Sequence, residues 1–433
     1  MSSGVRRAEL LGPILRPDYL PDPDMRENAA ASMVDGMYYS AMIGMTQPFL
    51  AVCAIALGAT DYMVGLVTTL PALVALVSQL PGAVITERHP SLLHTTLRYA
   101  FLHRILFLPL AAVPLLGIPG LGRAWLYLAI LAAMNLPATI CGVAWTAMIG
   151  QIYPPILRGR IFGDRSMMCQ FTAIVATLCA GWLIDAAPDP YNWSVLFLCC
   201  LGLTMASLYY LTRMRVPPRK PVAGRRLASP REVLAQRAFV DYTVGAFIYH
   251  LGLNTAVPVF TILYVRKLGL PATWIGLFSI VSGLAVALTS RWWGRWSDRV
   301  GSSRALFMSL VGLLPLPLCY AMVRGPWVIL PLQVVGGVFG AGFGIVIFNR
   351  LLETSPEERR SSYVAVFNML MMATGFAPML GVALYSRYGF WGAFGTASLL
   401  RLVGMGWLVI RGRSAASRRA AAMHGRGVDL APK

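Results

Sequence analysis

Twelve long apolar runs divide this chain of 433 residues, more than the core of a water-soluble protein can bury. A helix of about 20 apolar residues crosses the hydrocarbon core of a bilayer, so each run is long enough to span it. The runs are too long for barrel strands and do not alternate with period two, which leaves α-helices as the spanning element. Charged residues make up only 13% of the chain, against about 25% in soluble domains. The sequence therefore predicts an all-α integral membrane protein with twelve transmembrane helices, at roughly 30–57, 62–86, 99–118, 125–150, 167–186, 192–211, 239–264, 272–290, 305–323, 326–348, 362–385 and 390–410.

The basic residues are distributed unevenly between the two sides of the predicted membrane. With a cytoplasmic N-terminus, 30 of the 37 Lys and Arg residues lie in cytoplasmic segments. The positive-inside rule therefore predicts that both termini are cytoplasmic and that the protein is a multi-pass component of the inner (plasma) membrane. A net charge of +19 also occurs in nucleic-acid-binding proteins, but these basic residues occupy seven separate segments. We therefore expect contact with the anionic headgroups of the lipid bilayer and no nucleic-acid partner.

A basic, proline-containing segment, residues 212–238, separates the first six runs from the last six. It predicts two six-helix bundles, the N-terminal one at 29–211 and the C-terminal one at 239–411. The remaining residues form two cytoplasmic tails, at 1–28 and 412–433.

The two halves carry a weak internal repeat. The pair Glu87-Arg88 follows the second run and the pair Asp298-Arg299 follows the eighth, 211 positions later. The apolar stretches that precede these pairs are also similar. Repeated halves in a helical membrane protein favour a transporter that rocks one half against the other around a site near the midplane.

The segment from Gly294 to Arg304 reads GRWSDRVGSSR. This pattern, G-x-x-x-D-R-x-G-x-x-R, resembles the loop signature of the Major Facilitator Superfamily, whose members are twelve-helix secondary transporters. The corresponding segment of the first half departs from it, with Ala83, Glu87 and Pro90 in place of Gly, Asp and the second Gly. The resemblance covers nearly the whole chain through its span number, central linker and repeat, and it implies a monomer.

The chemistry of this loop predicts a reversible cytoplasmic gate. Gly294 permits close helix approach, and Asp298 can accept hydrogen bonds from an exposed helix N-terminus. The resemblance implies that Asp298 caps the start of span 11 near Ser361 and Ser362, and that Glu87 does the same for span 5 near Arg158 and Arg160. The alternative is a simple positively charged turn. The gate motif comprises Gly294, Asp298, Arg299, Gly301 and Arg304, with Glu87 and Arg88 in the first half.

Ionisable residues inside the spans are the strongest functional signals, because each costs about 2.5–3.5 kcal/mol at a helix centre. Asp35 lies in span 1 and His250 in span 7. The resemblance implies that spans 1, 4, 7 and 10 line the solute pathway. An acid and an imidazole on that pathway can exchange protons, since histidine titrates near neutral pH. We therefore expect proton coupling, with Asp35 as the first candidate and His250 as the second. The alternatives are a structural acid near a helix end and a neutral histidine bonded to a carbonyl.

Uncharged polar residues on the same spans are candidates for contact with a polar solute. They could equally form hydrogen bonds between helices. These cavity candidates are Tyr38, Tyr39, Thr46, Asn135, Thr139, Asn254 and Gln333.

Two arginines inside the spans call for a different explanation. Arg104 lies only a turn or two from the cytoplasmic end of span 3, so its side chain is expected to extend to the headgroups. Arg401 lies near the midplane of span 12. Extension to the interface or a contact with the carbonyl of another helix is favoured there over solute binding.

The motifs that are missing restrict the function further. The chain has no nucleotide-binding or hydrolase motif, so an enzyme is not expected and transport would be driven by gradients. The seven cysteines lie in apolar runs without ligand spacing, so neither a metal nor a cofactor is expected. The predicted function is a secondary active transporter of a small organic solute. A multidrug or metabolite efflux antiporter is an alternative, and a non-transporting receptor or membrane subunit is another.

Overall fold

The computed structural model of the chain describes residue 20 and residues 22–153, 155–216, 232, 235–355 and 360–427. Every regular element within these residues is helical, as the apolar runs predict. The chain divides into two compact units, the first formed by Met1–Gly224 with Gly269–Ile280 and the second by Arg225–Leu268 with Val281–Lys433.

Among the residues described, the first unit contains eight α-helices and the beginning of a ninth. The eight are α1 (Pro23–Thr46), α2 (Leu50–Ala56), α3 (Asp61–Arg88), α4 (Leu92–Ile105), α5 (Phe107–Ala112), α6 (Gly120–Ile152), α7 (Pro155–Ala186) and α8 (Tyr191–Leu211). The helices of the second unit are α9 (Arg237–Ile262), most of α10 (Ala272–Val300), α11 (Ser302–Leu313), α12 (Leu316–Ala321), α13 (Pro326–Thr354), α14 (Arg360–Ala373) and α15 (Ala377–Gly427).

Ten helical segments of the described chain are long and apolar enough to cross a bilayer, and the bent pair α1 and α2 makes an eleventh. That pair bends by 41° next to Pro48, which lacks the backbone N–H that a continuous helix would need. The last segment, Val366–Arg411, is 46 residues long, about twice the length of one span. Gly389 interrupts it with a non-helical φ of 66°. The segment therefore accounts for the last two predicted spans, and each of the twelve has a helical counterpart.

Helices α1 and α7 approach closely at Gly44. The hydroxyl of Thr177 donates a hydrogen bond of 2.8 Å to the Gly44 carbonyl. A Cβ at position 44 would lie only 2.3 Å from the carbonyl oxygen of Ala173, so any larger residue would force the helices apart. This contact holds α7 beside α1, and Asp35 lies on α1 two and a half turns before Gly44.

A second polar contact in the first unit fixes the start of α10. The carboxylate of Asp185, near the end of α7, accepts hydrogen bonds from the backbone N–H groups of Ala272 at 2.9 Å and Thr273 at 2.8 Å. It also accepts one from the Thr273 hydroxyl. An anion at this position satisfies helix N–H groups that have no partner within the helix.

Asp185→Ala is expected to destabilise the protein by about 1 kcal/mol, because the first turn of α10 loses its acceptor. Thermal unfolding of the purified chain in a neutral detergent measures the loss. Thr273→Ala removes only the hydroxyl contact and should cost less. Equal melting temperatures for Asp185→Ala and the wild type would show that the contact does not stabilise α10.

In the second unit, α9 packs mainly along α15. The buried core combines Phe239 and Tyr249 of α9 with Leu310 of α11 and Phe367 of α14. The hydroxyl of Tyr249 donates to the Leu310 carbonyl at 3.2 Å, which gives this buried phenol a partner.

Several predicted segments lie partly outside the described residues. They include most of the N-terminal tail, residues 217–231, 233 and 234 of the linker, and the last six residues of the C-terminal tail. Residues 269–280, which the sequence assigned to the C-terminal bundle, group with the first unit. The division into two six-helix bundles therefore stays a prediction.

Candidate functional site

Asp35 is buried on α1, with only 5% of its surface exposed. The hydroxyl of Ser207, on α8, donates a hydrogen bond of 2.5 Å to Asp35 Oδ1. Two arginines complete its surroundings, since Arg104 Nη2 lies 3.8 Å from Oδ1 and Arg165 Nη2 lies 3.8 Å from Oδ2. The carboxylate is therefore placed between two cations from different helices.

The two arginines are held in different ways. Arg104, on α4, is 4% exposed, and its Nη2 donates a hydrogen bond of 2.8 Å to Ser207 Oγ. Arg165, on α7, is 19% exposed and donates from Nε to the Ser32 carbonyl at 3.1 Å. The Arg165 guanidinium also lies 4.8 Å from the ring centroid of Trp145, within cation–π range. These contacts belong to five helices of the first unit, α1, α4, α6, α7 and α8.

A cavity of about 210 Å³ opens beside these charged groups. One carboxylate and two guanidinium groups leave it with a net positive charge when all three are ionised. Most of the remaining wall is apolar or small, which allows a compact organic molecule to bind there. The lining residues are Asp35, Tyr39, Ala100, His103, Arg104, Ala138, Cys141, Gly142, Trp145, Arg165 and Leu211.

The prediction that Arg104 extends to the headgroups is wrong. Its side chain turns inward to Asp35 and Ser207 because a buried carboxylate and a hydroxyl are available there. Arg165 was missed altogether, since it was counted among the cytoplasmic loop residues that follow span 4. Its position two residues before the apolar run 167–186 was one available signal, because residues within a turn of the end of a run can still face the interior.

The five predicted cavity residues of the first unit do not all face the cavity in the structure. Tyr39 lines the cavity, whereas Tyr38 stacks on Tyr210 with ring centroids 5.8 Å apart. Thr46 is buried and donates to the Met42 carbonyl of its own helix at 2.8 Å. Asn135 and Thr139 also bond within their own helix, to the carbonyls of Leu131 and Asn135 at 2.9 and 2.8 Å. Of these five residues, only Tyr39 is among the side chains that line the described cavity.

His250 lies in the second unit. Its Nδ1 is 2.9 Å from the Ala246 carbonyl one turn earlier, and its ring centroid is 5.3 Å from that of Phe343. A carbonyl at Nδ1 favours the proton on that nitrogen. This geometry is the one expected of the carbonyl-bonded alternative, while the role of His250 in coupling stays a prediction.

The other polar candidates of the second unit join helices to one another. Asn254 Nδ2 donates to the Thr374 hydroxyl at 2.7 Å, and Gln333 Nε2 donates to the Tyr264 hydroxyl at 3.2 Å. Arg401 is 4% exposed and donates from Nη1 to the Leu313 carbonyl at 2.8 Å. The expected contact of Arg401 with the carbonyl of another helix is thereby confirmed.

The gate motif lies where α10 ends and α11 begins. Gly301 has a φ of 85°, a conformation that favours glycine and lets the chain reverse direction. Arg299 and Arg304 are exposed, as is Arg88 in the first half. A Cβ at Gly294 would meet no described atom within 4 Å, so the described helices do not approach closely there, and the role of Gly294 stays a prediction. The side chains of Asp298, Glu87, Ser361, Ser362, Arg158 and Arg160 lie outside the described residues.

One polar contact beside the motif was not predicted. The hydroxyl of Ser302, at the start of α11, donates to Glu353 Oε2 at 2.5 Å, and Arg350 Nη1 lies 2.9 Å from the same oxygen. The contact joins the start of α11 to the end of α13. The sequence placed Glu353 outside the motif, so its spacing gave no reason to single it out.

Comparison with known proteins gives a consistent result. The family model described as Major Facilitator Superfamily matches residues 36–244 and 242–432. Multidrug resistance protein MdtG of Serratia proteamaculans is 28% identical over 172 residues, which cover 37% of this chain and 40% of the relative. A multi-drug resistance efflux pump PmrA homolog of Lactococcus lactis is 26% identical over 290 residues, 63% of this chain and 69% of the relative. The chain thus aligns with less than half the length of the MdtG relative.

Solved structures share the fold at low sequence identity. The peptide transporter POT aligns with a TM-score of 0.71 at 12% identity, covering 94% of this chain and 98% of its own. A D-xylose-proton symporter aligns with a TM-score of 0.64 at 13% identity, covering 87% and 96%. Likeness at this level of identity establishes the helical architecture and says nothing of the solute.

Proposed function

Because the chain belongs to the Major Facilitator Superfamily, a family of membrane transporters and not of enzymes, we propose that it moves a small organic solute across the membrane by alternating access, driven by a proton gradient. The observation that carries this proposal is the buried carboxylate of Asp35 between Arg104 and Arg165, at the wall of a cavity. An ionisable cluster inside a membrane protein is costly and is retained mainly where function needs it.

Proton binding at Asp35 would change the cavity in a defined way. An ionised Asp35 attracts both guanidinium groups, and in a medium of low dielectric constant this attraction is strong. A protonated Asp35 no longer attracts them, so both arginines can turn to another partner. A proton can therefore control what the cavity binds, which is the requirement for coupling solute movement to a proton gradient.

The orientation and the surroundings form part of the same proposal. The protein is a multi-pass membrane protein. We place both termini in the cytoplasm, because 30 of its 37 Lys and Arg residues then fall on that side. The bacterial relatives favour the inner (plasma) membrane, and membership of the family favours a monomer. Its partners would be the lipid bilayer, the solute and protons.

Efflux is the second candidate function, and the names of two relatives favour it. Both are described as multidrug resistance or efflux proteins. An antiporter would use the same protonation of Asp35 with the opposite direction of solute flow. A non-transporting receptor on the same fold would not need a titratable group in its cavity.

Proteoliposomes that contain the full chain and an internal pH dye test the proposal. A panel of anionic, neutral and cationic solutes is added under a proton gradient, and both solute flux and proton movement are recorded. Asp35→Asn is expected to abolish proton movement driven by the solute, because an amide cannot carry the proton. Glu27→Gln, an exposed acid on the same helix, should leave it unchanged. His250→Gln in the same assay decides the role of the second candidate.

Two results would contradict the proposal. Proton movement at the wild-type level in Asp35→Asn would show that coupling does not pass through this carboxylate. Absence of flux for every class of solute would favour the receptor.

A further inference from the structure

We propose that the cavity beside Asp35 binds an anionic group of the solute, a carboxylate or a phosphate-type group, between Arg104 and Arg165. The inference that this anion belongs to the transported molecule rests on the proposed function. The binding of the anion itself rests on the charge, the hydrogen bonding and the shape of the cavity.

The charge of the cavity is the first support. Guanidinium groups stay protonated in proteins, and among the side chains that the structure describes only the Asp35 carboxylate lies close to these two. The lining residues include no second acid. Within the described part of the chain, one positive charge is thus left without a counter-charge beside the buried side chains of Asp35 and Arg104, where an unpaired charge is costly. A bound monoanion would neutralise it.

The hydrogen bonding of Arg104 is the second support. Its side chain is 4% exposed, and its Nη1 has no hydrogen-bond partner among the residues that the structure describes. Nη2 is already engaged by Ser207 at 2.8 Å. A buried donor without a partner costs about 1–3 kcal/mol, more when it is charged, so a ligand oxygen at this nitrogen would recover that energy.

The position of Asp35 leaves room for such an oxygen. Both guanidinium groups lie 3.8 Å from the carboxylate, beyond hydrogen-bond distance, and the short bond of the carboxylate goes to Ser207 instead. Arg165 lies across α1 at Gly36, where a Cβ would come within 2.7 Å of the guanidinium. The absence of a side chain at Gly36 lets Arg165 reach the cavity. Neither arginine is locked to Asp35 in a paired, forked geometry.

The rest of the wall indicates the body of the ligand. Apolar or small surfaces come from Ala100, Ala138, Gly142 and Leu211, and Trp145 adds an aromatic face. A volume of about 210 Å³ is small for a ligand pocket, which argues against large drug-like molecules. The ligand class that fits is a compact organic anion with an apolar body.

Binding measurements on the purified full chain in a neutral detergent test this inference without any gradient. The probes are benzoate, 3-phenylpropionate and phenylphosphonate, compared with 3-phenylpropionamide and 3-phenylpropylamine. Isothermal titration calorimetry should give affinities about tenfold or more higher for at least one anion than for the amide and the amine.

The variants give a signature that a structural defect alone would not produce. Arg104→Gln and Arg165→Gln are expected to weaken anion binding about tenfold or more, whereas Arg98→Gln, an exposed arginine on the same helix as Arg104, leaves it unchanged. Arg104→Lys keeps the charge and should retain part of the affinity. Asp35→Asn should strengthen anion binding, because it removes the competing carboxylate.

A lipid headgroup offers the same chemistry, so the measurement is repeated in bilayer discs of phosphatidylcholine with and without phosphatidylglycerol. Anion binding that is unaffected by phosphatidylglycerol supports a soluble ligand. Loss of anion binding on adding phosphatidylglycerol assigns the site to lipid and overturns the inference.

Equal affinity for anion and amide, or no anion binding at all, also overturns the inference. Transport of a cationic or neutral solute that does not need Arg104 would leave the proposed function standing and refute this inference alone. Anion binding without any solute-driven proton movement would support the anion site and refute the proposed proton coupling.

Discussion

Asp35→Ala is expected to lower the free energy of unfolding by about 3–5 kcal/mol, because it leaves two guanidinium groups inside the protein without a carboxylate. Arg104 would suffer most, since its side chain is 4% exposed and would be left with one hydrogen bond, to Ser207. Arg165 is 19% exposed and keeps its bond to the Ser32 carbonyl. Equilibrium unfolding in mixed micelles, at fixed pH and without added organic anions, measures the loss.

A double-mutant cycle separates the charge effect from the loss of a contact. Ser207→Ala removes the hydroxyl that bridges Asp35 and Arg104 but no charge, so it should cost only about 1–3 kcal/mol. Asp35→Ala combined with Arg104→Met removes one charge of each sign and should be more stable than Asp35→Ala alone. Additive losses in the double variant would show that the two residues do not interact, and the cluster would then lose its role in the proposed coupling.

The spans could be predicted from the sequence, and Asp35 could be singled out as a candidate, because lipid imposes simple constraints. A segment that crosses hydrocarbon must satisfy its backbone internally and present apolar side chains, so length and hydropathy suffice to find it. An acid within such a segment is energetically costly, so Asp35 stands out as a functional candidate without coordinates, and its role stays a prediction. The bend at Pro48 follows from the same backbone chemistry, although hydropathy alone reads residues 30–57 as one straight span.

The partners of Asp35 could not be predicted, because they depend on how each helix is rotated about its axis. Polarity suggested that Asn135 and Thr139 mark the face of α6 that meets the solute, yet both satisfy their side chains on carbonyls of their own helix. The face that does line the cavity carries Ala138 and Gly142, which give no polar signal. A polar residue in a membrane helix therefore indicates that a hydrogen bond is made, but it does not indicate where the partner lies.

Counting basic residues on each side of the membrane also gave the wrong surroundings for Arg165. The positive-inside rule sums the residues of a loop and treats each of them as exposed to the cytoplasm. The rule holds for the sum, while a single arginine at the edge of a span can instead turn toward an interior acid, as Arg165 does toward Asp35. A buried carboxylate with no acidic or basic neighbour on its own helix is the signal that would have prompted a search for such an arginine.

Gly381→Ala is expected to destabilise the second unit by about 3 kcal/mol or more, or to prevent its folding, because the position has no room for a methyl group. A Cβ at Gly381, on α15, would lie 1.9 Å from the carbonyl oxygen of Thr255 on α9. The neighbouring atom is backbone, so no side-chain rotation can relieve the overlap, and the two helices would have to separate. Their separation would also disturb the hydrogen bond from Asn254 to Thr374. Thermal unfolding in neutral detergent measures the effect.

The matched control is Gly395→Ala, in α15 beyond the break at Gly389, where an added Cβ meets no described atom within 4 Å. This change replaces a poor helix former with the best one, so it should leave stability unchanged or raise it by up to about 1 kcal/mol. The two variants therefore differ in packing and not in the type of substitution. If Gly381→Ala unfolded at the same temperature as Gly395→Ala, the close contact between α9 and α15 would not exist in the folded protein, and the packing of the second unit would need to be reassigned.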